Sequence, residues 1–91
     1  MKFLCQDEWT GRTFKSNQDK IVLAVAEINS MITKDSEATL NDLYDLVGLP
    51  AVSPGTHFGW NETFGIRFGS ALLENGRPVM TMWYSPAPKH L

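Results

Sequence analysis

Few side chains in this chain of 91 residues have the types and spacing that catalysis or metal binding requires. A metal site would need Cys5, His57 and Glu62 to converge from separate elements, because no paired-ligand spacing occurs. Ser53 and Ser70 lack the sequence context of an activated nucleophile, and no glycine-rich phosphate-binding pattern is found. We therefore predict no catalytic residue, no metal and no cofactor, and a protein that is not an enzyme.

Aromatic and methionine side chains are instead concentrated in two short segments, residues 57–60 and residues 80–84. Such side chains are common anchors of protein interfaces. Strand alternation over the second segment places Met80, Met82 and Tyr84 on one face and Trp83 on the other, so both faces carry bulky apolar groups. The alternative is that these residues form the core, with segment 3–14 covering the second face. The predicted protein-binding residues are His57, Phe58, Trp60, Asn61, Trp83 and Tyr84.

Two helices are predicted in the part of the chain that precedes these segments. In the first, residues 16–34, Ser16 is placed as N-cap, and apolar residues recur every three or four positions. In the second, residues 39–48, Thr39 and Asp42 form a capping pattern, and Gly48 supplies the stop.

The remaining segments are predicted as a strand region (1–15), a proline-containing loop (49–62), a hairpin (63–84) turning at Asn75-Gly76, and a loose tail (85–91). A chain this short forms a single domain. The sequence thus predicts an α+β fold, with two central helices packed on a small antiparallel sheet made of the N-terminal strand region and the C-terminal β-hairpin.

The second half of the chain also resembles a known group of proteins. The run Thr39-Leu40-Asn41-Asp42-Leu43-Tyr44-Asp45-Leu46-Val47-Gly48-Leu49 is followed by Gly59-Trp60, Phe68-Gly69-Ser70 and Asn75-Gly76-Arg77-Pro78. This order is similar to that of small uncharacterised bacteriophage and prophage proteins, mainly of Gram-positive hosts. The resemblance covers about the last fifty-five residues and implies a phage or mobile-element origin, without any activity or functional residue.

Charge and hydropathy narrow the classes of partner. The net charge is −2, and no Lys or Arg occurs between Lys34 and Arg67, so we do not expect nucleic acid as the partner. The alternative is a winged-helix-like nucleic-acid-binding protein with residues 75–77 at the wing tip. No apolar run is long enough to span a membrane, and we expect a cytoplasmic location, in the host cell if phage-encoded.

The function predicted from the sequence is that of a non-catalytic, phage-type accessory protein that binds another protein. The partner would be a host or defence-system factor inhibited by occlusion, or a virion component. Self-association is a second expectation, since residues 83–85 could offer a free strand edge.

Overall fold

The computed structural model describes residues 2–91 and alternates short strands with two α-helices. The strands are β1 (Phe3–Asp7), β2 (Thr13–Ser16), β3 (Ala38–Thr39), β4 (Phe58–Trp60), β5 (Gly65–Leu72), β6 (Pro78–Ser85) and β7 (Lys89–His90). The helices are α1 (Gln18–Asp35) and α2 (Leu40–Val47), and a 3₁₀ turn covers Ser53–Thr56.

The strands form two sheets, which confirms the predicted α+β class. The larger sheet has the order β2-β1-β6-β5, and the smaller one has the order β3-β4-β7. β1 runs antiparallel to β2 but parallel to β6, so the larger sheet is mixed and not wholly antiparallel as expected. The N-terminal segment therefore lies within the sheet, beside the hairpin of β5 and β6, and does not cover a face of it.

The start of α1 differs from the prediction by one residue. Asn17 is the N-cap, and its side-chain oxygen accepts a hydrogen bond from the backbone N–H of Lys20 at 2.9 Å. Ser16 is instead the buried last residue of β2, paired with Phe3 of β1. Both residue types cap helices well, and the extent of β2 decides which of them does so.

The start of α2 confirms the predicted capping box. The Thr39 hydroxyl accepts from the N–H of Asp42 at 3.2 Å, and the Asp42 carboxylate accepts from the N–H of Thr39 at 2.9 Å. The helix ends at Gly48, whose φ of 87° lies in the left-handed region that glycine tolerates.

Two segments predicted to lack regular structure, the loop and the tail, each contribute a short strand to the smaller sheet. Within the predicted loop 49–62, β4 pairs with β3 on one side and with β7 on the other. Gly59 makes this approach feasible, because a Cβ there would lie 2.1 Å from the carbonyl oxygen of Ala38. The predicted tail supplies β7, and the N–H of Leu91 donates to the carbonyl of His57 at 2.9 Å. Three-residue and two-residue strands are too short to show a period in the sequence.

Both helices pack on the same face of the larger sheet. The main core cluster joins α1 and α2 to Trp60 and Phe64, and a smaller cluster joins Ile21 of α1 to Cys5 and Met82. The residues of the larger sheet that lie in or against these clusters all share one face; they are Cys5, Phe14, Ile66, Phe68, Met80, Met82 and Tyr84. None of the helices within residues 2–91 is both long and apolar enough to cross a membrane.

Truncation of two tryptophans should separate core from surface. Trp60 is 1% exposed and stacks on Phe64 with ring centroids 3.9 Å apart, whereas Trp83 is 52% exposed. We expect Trp60→Ala to lower the free energy of unfolding by about 3–5 kcal/mol. Trp83→Ala should lower it by only about 1 kcal/mol or less. Urea unfolding followed by circular dichroism measures both, and equal losses would contradict this packing.

Candidate functional site

Three of the residues predicted to bind protein lie at or near the surface around β4. His57 and Asn61 are exposed, on either side of this strand. Phe58 is half-buried between Trp9 and His90, with ring centroids 5.3 Å from each. The C-terminal strand β7 thus closes over the predicted aromatic loop and leaves His57 and Asn61 as its accessible members.

Trp60 and Tyr84 are held inside the fold. The Trp60 ring stacks on Phe64, and its indole N–H donates to the carbonyl of Pro86 at 2.9 Å. The Tyr84 ring meets Trp60 edge-on at 5.5 Å, and its hydroxyl donates to the buried carboxylate of Asp7. Trp60 is buried and Tyr84 is half-buried, and both side chains stabilise the core.

Trp83 lies on the opposite face of the larger sheet from the helices. Strand alternation and register place it beside Arg67 of β5, on the face that points away from Met82 and Tyr84. We call this surface the open face. Its strand residues are Leu4, Gln6, Thr13, Lys15, Gly65, Arg67, Gly69, Ala71, Val79, Thr81, Trp83 and Ser85.

The Trp83 side chain is held in place on the open face although about half of it is exposed. Its indole N–H donates to the Thr81 hydroxyl at 3.2 Å, and its nitrogen lies 3.7 Å from where a Cβ on Gly69 would be. A Cβ on Gly69 would also come within 2.8 Å of the Thr81 hydroxyl. Gly69 therefore leaves room for the Thr81 hydroxyl that holds the indole.

A shallow hollow of about 410 Å³ adjoins Trp83. Arg67 and Gly69 line it from β5, and Trp83 and Ser85 line it from β6. The charged strand residues of the open face are Lys15 and Arg67, and both are cations. The open face therefore combines an exposed aromatic ring with positive charge, although the chain as a whole is acidic.

A polar cluster centred on Asp7 is buried between the larger sheet and α2. The Asp7 side chain is fully buried and accepts hydrogen bonds from the Tyr44 hydroxyl at 2.7 Å and from the Tyr84 hydroxyl. It also accepts from the backbone N–H of Thr10 at 2.9 Å and from the Thr10 hydroxyl at 2.5 Å. Four donors thus satisfy one carboxylate that burial would otherwise penalise.

Arg12 extends this cluster toward the surface. Its Nε donates to the Thr10 hydroxyl at 3.1 Å, and its Nη1 donates to the carbonyl of Pro50 at 2.7 Å. Its guanidinium carbon lies 4.7 Å from the centre of the Tyr44 ring, a cation–π distance. Arg12 therefore ties the β1–β2 turn to the segment that follows α2.

The environment of the two tyrosines favours their neutral forms. Burial raises the pKa of Tyr44 and of Tyr84 well above the usual value, because a phenolate would lose its hydration. The Asp7 carboxylate raises both pKa values further, by accepting the hydroxyl protons and by its negative charge. Burial likewise raises the pKa of the Cys5 thiol, which sits beneath α1.

The Asp7 cluster has a structural role in this arrangement. Its carboxylate is 0% exposed, so no substrate atom can approach it, and its acceptor sites face donors of the chain itself. Sequence reasoning missed it, although the spacing of Asp7, Thr10 and Gly11 is typical of a side-chain-capped turn. Nothing in the sequence pairs Asp7 with Tyr44 or Tyr84, which lie 37 and 77 residues away.

The residues weighed for metal binding are not brought together. Cys5 is buried beneath α1, while His57 and Glu62 are exposed near β4. Over residues 2–91, no group of three or more His, Cys, Asp or Glu side chains is placed to hold a metal ion.

The chain belongs to a family of unknown function, DUF6353, whose model matches residues 1–91. Comparison with curated proteins and with solved structures finds no match.

The tyrosines allow a direct test of the buried cluster, because Tyr44 and Tyr84 are the two tyrosines of the chain. An unfolded chain releases both phenolic protons near pH 10, whereas the folded chain retains them because both pKa values are raised. Stability should therefore fall as pH rises above about 10, by about 1.4 kcal/mol per pH unit for each tyrosine. Tyrosinate absorbance should appear together with unfolding; ionisation at pH 10 with the fold intact would contradict the buried assignment.

Removal of the Asp7 carboxylate should markedly lower the free energy of unfolding. In Asp7→Ala, two buried hydroxyls and the donors of Thr10 lose their partner, and we expect a loss of about 3 kcal/mol or more. Asp45→Ala is the matched control, since Asp45 is exposed on α2 and should change stability by about 0.5 kcal/mol or less. Thermal and urea unfolding of the two variants give the comparison, and similar losses would argue against a structural role for Asp7.

Proposed function

We propose that the chain is a non-catalytic protein-binding module whose interface is the open face, with Trp83 as its central anchor. The observation that carries this proposal is the position of Trp83. Its large ring is 52% exposed, is held by the Thr81 hydroxyl, and lies on a sheet face on which neither helix packs.

The physical argument rests on what a solvated sheet face normally carries. When one face of a sheet packs on helices and the other meets water, the second face is usually polar. A half-exposed tryptophan departs from that pattern, and tryptophan and arginine are the residue types that contribute most at protein interfaces. The indole hydrogen bond to Thr81 restrains the Trp83 side chain, so binding would cost less side-chain entropy.

Charge supports an acidic protein surface as the partner. Lys15 and Arg67 stand on opposite edge strands of the open face, on either side of Trp83. A partner that places carboxylates around an apolar contact would match both cations and exclude water from the indole. Such complementarity contributes mainly to association rate and specificity, whereas the buried ring contributes to affinity.

The class of partner follows from the resemblance to phage and prophage proteins. A module of this kind would act by occlusion of a host or defence-system factor, or as a component of a virion. Occlusion requires affinity and no catalytic group, and in the described chain the buried carboxylate of Asp7 is committed to internal hydrogen bonds.

A winged-helix-like role in nucleic-acid binding has less support. Between α2 and β5 the chain forms a 3₁₀ turn and β4, where a recognition helix would be required. α2 itself has only eight residues, and its exposed side carries Asp45. A phosphate backbone would need more cations than Lys15 and Arg67 on the open face.

The test compares two exposed apolar residues on opposite sides of the molecule. Trp83→Ala alters the open face, and Leu23→Ala alters α1, where Leu23 is 70% exposed. We expect a partner captured from host lysate, once purified, to bind wild type and Leu23→Ala equally. It should bind Trp83→Ala at least about tenfold more weakly, although each variant loses only about 1 kcal/mol or less in free energy of unfolding.

Three outcomes would overturn the proposal. They are full binding by Trp83→Ala, loss of binding by Leu23→Ala, and absence of any captured partner. A parallel titration with duplex DNA covers the alternative, because affinity that falls steeply with salt and depends on Lys15 and Arg67 would favour nucleic acid.

A further inference from the structure

We propose that the partner binds as an extended, acidic segment that adds a fifth strand to the larger sheet, along the outer edge of β5. This inference rests on the proposed function and specifies the form of the partner. It is carried by the free edge of β5, by the alternation of its side chains, and by the charge beside it.

β5 is an outer strand that is as long as its neighbour β6. Its eight residues pair with β6 on one side, and in the described chain no strand pairs with the other side. The opposite edge, β2, has only four residues and carries Lys15. The expected edge at residues 83–85 lies in β6, which pairs with β5 along its whole length but with β1 only from Met80 to Met82.

Apart from the charge of Arg67, the β5 edge lacks the features that usually prevent strand addition. Its sequence, Gly-Ile-Arg-Phe-Gly-Ser-Ala-Leu, contains no proline and no lysine, and its register with β6 is continuous from Gly65 to Leu72. Proline, lysine and bulges are the common means by which proteins block such edges. Unpaired backbone N–H and C=O groups can therefore bind an extended segment by main-chain hydrogen bonds.

The side chains of β5 define what the added strand would carry. On the helix side, Ile66 and Phe68 are half-buried and Leu72 is 72% exposed, so inward residues of the added strand would meet apolar groups. The alternate residues of the added strand, on the open face, would meet Arg67 and the hollow beside Trp83. The matching segment alternates apolar residues with acidic ones, in the period of two that a strand imposes.

The charge of the edge favours such a segment over a second copy of this chain. β5 contains Arg67 and no carboxylate, so pairing of β5 with its own copy would bring no acidic group to Arg67. Opposite charges across neighbouring strands stabilise pairing, whereas like charges destabilise it. An acidic segment satisfies this requirement.

The experiment uses the full chain, labelled with ¹⁵N, and peptides matched to the eight residues of β5. The probe is a capped octapeptide that alternates valine and glutamate. One control alternates valine and lysine, and the other places four valines before four glutamates. Chemical-shift titration measures affinity, and amide hydrogen exchange identifies the strand that becomes protected.

We expect the alternating glutamate peptide to bind at least about tenfold more tightly than either control. It should protect every second amide of β5, namely those that point away from β6. Arg67→Glu should reverse the preference toward the lysine peptide. Lys34→Glu, which makes the same change in net charge on the exposed end of α1, should leave the preference unchanged.

Several results would overturn the inference. Protection of β2 in place of β5, equal binding of the three peptides, or no protection at all would each exclude strand addition at this edge. Concentration-dependent dimerisation with β5 amides protected in the absence of peptide would assign the edge to a second copy. If the peptides fail but the captured partner still depends on Trp83, strand addition is wrong while the proposed interface stands.

Discussion

Hydrogen bonds from three parts of the fold converge on the Asp7 carboxylate. A buried charge is tolerated only when its acceptor sites are filled, and here the donors come from three separate parts of the chain. Thr10 follows β1, Tyr44 belongs to α2 and Tyr84 belongs to β6. This single group therefore joins the N-terminal turn, the second helix and the C-terminal hairpin, and it holds α2 against one face of the sheet.

The position of the two helices leaves the opposite face of the larger sheet uncovered. Because α1 and α2 both pack on the side of Met82 and Tyr84, neither of them covers the side of Trp83. The same β6 strand thus contributes Tyr84 to the core and Trp83 to the surface, one residue apart. The open face arises from the placement of both helices on one side and from the central position of β6 in the sheet.

The prediction of individual elements succeeded where local chemistry is decisive. The capping box of Thr39 and Asp42, the stop at Gly48 and the alternation of β6 all depend on neighbours within a few residues. The small sheet was missed, because β4 and β7 are held by backbone pairing between residues about thirty positions apart. The parallel pairing of β1 with β6 spans most of the chain, and neither strand's sequence specifies the other.

For the candidate site, residue types and their local alternation indicated which side chains were available, and contacts between distant segments assigned their roles. Composition and alternation placed Trp83 and Tyr84 on opposite faces of a strand, as the structure has them. Only the packing of the helices determined which face was covered, because both faces carried bulky apolar side chains. Trp60 became core and Trp83 remained exposed for the same reason: the burial of an aromatic ring depends on what packs against it, and those contacts are distant in sequence.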